Sequence, residues 1–186
     1  MTADQYECTA AVLAETPDAA IVSNLGDASY VLAGVDDRPE NFYLWGSMGV
    51  TTPVGLGLAL AVDRPVTVLD GDGSMLMSLG ALSTVGGIDP SNLTVVVFDN
   101  GEYGTTGGQR SHAATTDFAT AARACGLEAT HVEDTDAFAA AYEASVGHDG
   151  ASLIACDVEP VDPEARPPFD FALIKRRVRD ALADES

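Results

Sequence analysis

Basic residues are nearly missing from this chain. There is one lysine, Lys175, and eight arginines, against 29 Asp and Glu, for a formal net charge of −20. Such a surface repels phosphate backbones and anionic headgroups, which argues against nucleic acid and anionic membrane as partners. The single lysine also excludes a GxxxxGK[ST] phosphate loop. Cysteine is scarce too. Cys8, Cys125 and Cys156 are scattered without metal-ligand spacing. They read as small buried hydrophobes in a reducing compartment. No apolar run reaches membrane-spanning length and no N-terminal signal pattern is visible, so the expectation is a cytoplasmic protein. No repeat or internal linker divides the chain. Its 186 residues are expected to form one well-cored α/β domain over 1–186.

What the chain has in excess is carboxylate. A charge of −20 is far from that of an ordinary domain of this size. It resembles halophilic adaptation, in which an acidic surface keeps a protein soluble in concentrated salt. An ordinary acidic protein is the plain alternative.

The rest of the chain is organised around 66–109. Val66 to Leu69 is an apolar, β-branched run that reads as a buried strand. It stops at Asp70-Gly71-Asp72-Gly73. Ser74 then reads as the N-cap of a helix from Met75 to Val85. Gly86-Gly87 and Asp89-Pro90 are expected to end that helix. Thr94 to Phe98 is a second strand, stopping at Asp99-Asn100-Gly101. Two strands joined by a crossover helix run parallel. Asp72 and Asn100 therefore share the carboxyl edge of the sheet, where open α/β sheets bind ligands.

The chemistry of that edge follows from residue types. A carboxylate and an amide oxygen are hard donors, suited to Mg²⁺ or Ca²⁺ and not to zinc. They are too few for an all-protein cage. Mg²⁺ completes its octahedron, at roughly 2.0–2.1 Å, with phosphate oxygens and water. Gly73 and Ser74 open a helix beside the metal, where backbone N–H groups receive phosphate oxygens. The unit reads as a Mg²⁺–diphosphate clamp. An EF-hand fails because Met75 and Ala81 stand where Gly and Glu are needed. A dinucleotide fingerprint fails because Leu76 stands where a third Gly or Ala is needed. For Gly-Asp-Gly alone, a tight turn with a solvated Asp is the plain alternative.

Gly71-Asp72-Gly73, 26 residues opening with Ser74, then Asn100 followed by GEYG, resembles the diphosphate motif of thiamine-diphosphate-dependent enzymes. LWGSMGVTTPVGLGLALA upstream and TTGGQ downstream narrow the resemblance to the sulfopyruvate and phosphonopyruvate decarboxylases. Within them it is nearest to the separate beta subunits of the sulfopyruvate enzymes. The likeness is strong from Val22 to Gln109 and weak elsewhere. It implies a doubly wound, mainly parallel sheet with helices on both faces. It implies two cofactors, thiamine diphosphate and Mg²⁺. The cofactor-binding set carried over is Gly46, Ser47, Met48, Gly71, Asp72, Gly73, Ser74, Asn100, Glu102 and Tyr103. Asp72, Asn100 and the Glu102 carbonyl would hold the metal, with the Glu102 side chain pointing elsewhere. The Gly46 carbonyl would accept from the pyrimidine amino group, and Met48 would wedge between the two rings.

The implied reaction is loss of CO₂ from a 2-oxo acid, with 3-sulfopyruvate going to sulfoacetaldehyde. The alternatives are a phosphonopyruvate decarboxylase, a related carboligase subunit, or a non-catalytic partner-binding subunit that keeps the fold. The family also needs a Glu at N1′ of the pyrimidine, borne by a separate pyrimidine-binding domain. No catalytic residue is therefore expected in this chain alone. A pyrimidine-binding alpha subunit is expected as partner, in an α₂β₂ assembly or a multiple of it.

Gln109, Arg110 and His112 lie beyond the metal motif and are candidates for a sulfonate or phosphonate group. Thr105 to Gln109 would line the mouth. A solvated loop is the plain alternative for each. Asp27 to Ser29 follow a first strand, Ala19 to Ser23. They would face the crevice by resemblance, though Asp27 also reads as an N-cap for a helix 29–33. Phe42 to Trp45 reads as a strand. Thr51 or Thr52 would cap a helix reaching Val62, with Gly55 and Gly57 there for close packing. Helices at 2–13, 117–124 and 137–146 and strands at 128–133 and 153–158 complete the alternation. A terminal helix over about 169–183 carries Lys175, Arg176, Arg177 and Arg179. Its basic cluster complements the helix dipole or pairs with an acidic surface.

Overall fold

A computed structural model describes residues 2–183. The chain alternates helix and strand: α1 (Gln5–Glu15), β1 (Ala20–Ser23), α2 (Asp27–Val35), β2 (Asn41–Tyr43), α3 (Thr51–Ala59) and β3 (Val66–Gly71). Then follow α4 (Asp72–Met77), α5 (Ala81–Ile88) and β4 (Leu93–Asp99). A short antiparallel hairpin of β5 (Glu102–Tyr103) and β6 (Gln109–Arg110) precedes α6 (Phe118–Ala124). The chain closes with β7 (Glu128–Val132), α7 (Thr135–Val146), β8 (Ser152–Asp157) and α8 (Phe171–Leu182).

Six strands form one parallel sheet in the order β2-β1-β3-β4-β8-β7. The central strands are apolar at nearly every position because both faces are covered. Val68, Val95, Val97 and Leu153 point into one core, together with Leu56, Leu82 and Phe118. Leu69, Val96, Phe98 and Ile154 point into the other, together with Val12, Leu32 and Phe138. Alternate residues of one strand thus serve opposite layers, which is the doubly wound architecture. Cys8 and Cys156 are buried in the second core and Cys125 is half-buried; all three are free. Among the described residues no helix is long and apolar enough to cross a membrane.

Three local expectations are corrected. The helix expected from Met75 to Val85 is two helices. It breaks at Ser78-Leu79-Gly80, which are weak helix formers apart from the leucine, and α5 turns so that Leu82 and Val85 are buried. Gly86 and Gly87 do not end α5, which stops at Asp89 in a left-handed conformation, φ 53°. A Cβ at Gly86 would strike the Cys125 carbonyl, so that glycine admits α6 instead. Neither Thr51 nor Thr52 caps α3. Their hydroxyls donate to Asn24 Oδ1 at 3.3 Å and Asp70 Oδ2 at 3.2 Å.

The same helix ends at Ala59, short of Val62. The Asn92 amide donates to the carbonyls of Ala59, Val62 and Arg64, taking up the chain end there. Gly55 is tightly packed, since a Cβ would collide with Val68, but Gly57 faces open space. On α8, Arg177 pairs bidentately with Asp37, at 2.6 and 3.1 Å, and Arg179 meets Asp180 at 2.6 Å. The basic cluster therefore pairs partly with the chain's own acidic surface.

Self-repulsion among the remaining carboxylates should weaken the fold in dilute buffer. The melting temperature is expected to rise by roughly 5–10 °C between low salt and molar KCl, a few kcal/mol of relief. A melt that stays flat over that range would remove the halophilic reading.

Candidate functional site

The strand order reverses between β1 and β3, and a cavity of about 310 Å³ opens there at the carboxyl edge. One wall is the turn after β1, Asn24 to Ala28. The opposite wall is Asp70 to Ser74, at the junction of β3 and α4. Gly46 and Met48 close one side, and Phe98, Asn100 and Glu102 to Thr106 close another. The sheet thus brings together Gly46, Met48, Gly71, Asp72, Gly73, Ser74, Asn100, Glu102 and Tyr103. Ser47 is half-buried and outside the lining.

Asp72 is the first residue of α4 and is 2% exposed. Gly71, in extended backbone, is the N-cap, and Ser74 sits inside the helix, so the N-cap expectation for Ser74 is corrected. Its hydroxyl instead accepts from Gly49 N–H at 3.0 Å and hydrogen-bonds Asp70, stitching the Gly46 turn to α4. A Cβ at Gly73 would collide with the Tyr103 ring, which lies directly over the start of the helix. Burial raises the Asp72 carboxyl above its usual range, and a hydrogen bond from Ser111 Oγ opposes that shift. Burial, then the charge of Asp72, pushes the neighbouring Asp99 up to about 6. Asn100 heads a tight turn: Glu102 N–H donates to its Oδ1 at 3.0 Å, and its Nδ2 donates to Asp27 Oδ2 at 3.4 Å.

Asp27 is the first residue of α2 and does not cap it; Gly26 is the N-cap. It faces the cavity, where burial and the charge of Glu102 raise its pKa. Glu102 is in the cavity lining, and its carboxylate sits next to Gly108, which is not. Thr105 folds against Gly26, where a Cβ would lie 2.7 Å from its methyl, so the two turns meet over the mouth. Thr105 and Thr106 line the cavity; Gly107, Gly108 and Gln109 do not. Gln109 and Arg110 are exposed on β6, and His112 is exposed beyond it. All three lie outside the lining, because the β5–β6 hairpin turns that strand outward.

Several residues of the site carry no motif. Ser111 lies between two residues singled out from the sequence, yet it alone of the three turns inward onto Asp72. Gln5 reaches the cavity from α1 at 3% exposure. Asp70 is fully buried and holds the Thr52 hydroxyl and the Gly71 N–H. Burial pushes it from 3.8 up to about 6. The fold therefore holds this proton more tightly than the unfolded chain does. The resulting cost is absent well below pH 4, grows as pH rises to 6, and is constant above. Asp70→Asn removes it. The stability advantage of Asp70→Asn over the native chain should grow by about 1.4 kcal/mol from pH 5 to pH 7.5. Urea melts at the two pH values measure this, and an advantage independent of pH would place the Asp70 pKa in its ordinary range.

An open parallel sheet, a cavity at its switch point and oxygen donors on two strand ends define a ligand-binding α/β domain. Residues 26–156 match the family "Thiamine pyrophosphate enzyme, C-terminal TPP binding domain", and the chain belongs to that family. A phosphonopyruvate decarboxylase of Streptomyces viridochromogenes is 44% identical over 90% of this chain and 43% of its own length. The chain thus spans less than half of that relative. The sulfopyruvate decarboxylase subunit beta of Methanococcus maripaludis is 34% identical over 86% of each chain. Among solved structures, a thiamine diphosphate-dependent 4-hydroxybenzoylformate decarboxylase of Rhodococcus jostii shares the fold. Its TM-score is 0.73 at 22% identity, over 85% of this chain and 33% of that one.

Proposed function

We propose that the chain is the diphosphate-binding half of a thiamine-diphosphate-dependent 2-oxo acid decarboxylase. The observation that carries this is the placement of Asp72. It is a nearly fully buried carboxylate at the start of α4, in one cavity with Asn100 and Glu102. The donor set fits the cofactor pair. Asp72, Asn100 and the Glu102 carbonyl are hard oxygen donors for Mg²⁺. The crowding of Asp72 and Asp99 carboxyls is what a divalent cation relieves. The Gly73 and Ser74 N–H groups at the start of α4 would receive the diphosphate. When bound, thiamine diphosphate supplies an electron sink for the pair left behind by CO₂.

The chain's own residues bind and orient. Ser111 fixes one Asp72 oxygen, and the Gly73 backbone and the Asp99 side chain also hydrogen-bond this carboxyl, which holds it in place at the start of α4. Glu102 N–H and Asp27 hold the Asn100 amide in a single orientation. Gly46, with φ 70°, turns the chain in a left-handed conformation beside Met48, leaving its carbonyl for the pyrimidine amino group. Met48 lines the same cavity, and its flexible thioether would fill the gap between the cofactor's rings.

The proposed substrate is 3-sulfopyruvate. Its support is that the chain covers most of the length of the Methanococcus subunit. Phosphonopyruvate is the second reading, favoured by the higher identity to the Streptomyces enzyme. The pyrimidine-binding partner is proposed as an alpha subunit in an α₂β₂ arrangement. Co-expression with that subunit, and CO₂ release from sulfopyruvate, phosphonopyruvate and pyruvate in high salt, tests the reading. Release from sulfopyruvate at the highest kcat/KM is expected, and release from none of the three would overturn it.

A further inference from the structure

Among the described residues no Lys, Arg or His lines the cavity, and the acidic residues lining it are Asp27, Asp70, Asp72 and Glu102. A 2-oxo acid bearing a second acidic group brings at least two negative charges to this wall. It needs a cation that the lining does not contain.

Arg166 is outside the lining, but its charge acts on Asp27, which is in it. It lies between β8 and α8, and its Nη1 donates to the carbonyls of Pro163 and of Ala165, the latter at 2.7 Å. Its Cζ is 3.9 Å from the centroid of the Tyr30 ring. Tyr30 is one turn along α2 from Asp27, and its ring is 5.9 Å from that of Trp45, the residue before Gly46. Trp45 Nε1 donates to the Pro168 carbonyl at 3.2 Å, which ties the same segment down on the far side of Arg166. Asp27 feels the guanidinium, whose charge lowers its pKa against burial and the charge of Glu102.

An exposed arginine ordinarily samples many rotamers and loses that freedom on binding. Here two carbonyls and an aromatic face hold the guanidinium before any ligand arrives. We propose that Arg166 is the specificity-determining residue that receives the terminal sulfonate or phosphonate of the substrate. The proposal rests on the decarboxylase reading of the cavity. A planar guanidinium fork matches two oxygens of a tetrahedral oxyanion, which a lysine point charge does not. The cofactor's diphosphate has its own receivers at α4, so Arg166 discriminates between substrates and leaves cofactor affinity alone.

The test uses the co-expressed complex carrying Arg166→Gln. The KM for sulfopyruvate, or for phosphonopyruvate if that is the better substrate, should rise roughly 10- to 100-fold. The kcat/KM for pyruvate should stay within about 3-fold of native, since pyruvate has no group for Arg166 to hold. Arg166→Lys should recover part of the loss. The calorimetric Kd for thiamine diphosphate should not move. An equal loss for pyruvate, or a weakened cofactor, would overturn the assignment. Sulfoacetate, an unreactive dianion, gives an arm that needs no turnover. Its calorimetric binding to the native complex should exceed that to Arg166→Gln by a similar factor. Equal binding to both overturns the Arg166 proposal, whereas a native complex that binds sulfoacetate but decarboxylates nothing overturns the decarboxylase reading instead.

Discussion

Asp72→Ala should bind thiamine diphosphate in the presence of Mg²⁺ at least roughly 100-fold more weakly than the native chain. On the proposed reading, Mg²⁺ would link protein to diphosphate with Asp72 as its one carboxylate ligand, so the alanine should remove most of that link. Asn100 and a carbonyl cannot replace it, since neither carries charge. The fold should survive. Asp72 is held above its usual pKa by burial, so the alanine removes a desolvated carboxyl and not a stabilising ion pair. Ser111→Ala is the gentler companion. It frees the Asp72 oxygen that Ser111 now holds and should weaken metal-dependent cofactor binding by about 10-fold. Isothermal calorimetry with thiamine diphosphate and Mg²⁺ reads both, and circular dichroism checks the fold. Unchanged affinity in Asp72→Ala would refute the metal assignment.

The sheet was legible because its strands are buried on both faces. Val66 to Leu69 and Thr94 to Phe98 have no alternation to blur, and each ends in Asp or Asn beside Gly. The pairing of Asp72 with Asn100 followed from topology alone, since a crossover helix forces both strand ends to one edge. The break between α4 and α5 was not legible. The apolar pattern from Met75 to Val85 suits one helix, and only the packing of Leu82 and Val85 onto the neighbouring layer shows why it turns. Thr51 and Thr52 looked like caps because Ser and Thr before a helix usually are. Their hydroxyls instead serve Asn24 and Asp70, two buried polar groups whose need for partners appears only once the strands are assembled.

The periphery of the site was the least legible part. Gln5 comes from α1 into the cavity lining, and Arg166 comes from the exit segment onto the Tyr30 ring; neither carries a motif. Arg110 and His112 are near Asn100 in sequence, but the β5–β6 hairpin carries them outward and turns Ser111 in. Proximity along the chain was a poor guide there, since of residues 109–112 only Ser111, just past β6, is buried.

The chain purified without a partner should not decarboxylate any 2-oxo acid, even with saturating thiamine diphosphate and Mg²⁺. The family resemblance implies a carboxylic acid at N1′ of the pyrimidine, and to act alone this chain would have to supply it. Among the described residues, the only glutamate lining the cavity is Glu102, and it belongs to the turn at the metal. Its charge raises the pKa of Asp27, and its carboxylate sits next to Gly108. Glu7 and Glu15 sit on α1 and are exposed to solvent. Asp70 is buried beneath the turn, with both oxygens taken by Thr52 and Gly71. On the proposed reading, the acid would come from outside the described residues and face Gly46 and Met48. Adding the purified pyrimidine-binding subunit should restore CO₂ release, and a partner whose Glu is replaced by Gln should assemble yet leave the rate lower by roughly 100-fold or more. Robust turnover by the isolated chain, measured on material shown by mass spectrometry to lack any partner, would mean that this chain supplies its own N1′ acid.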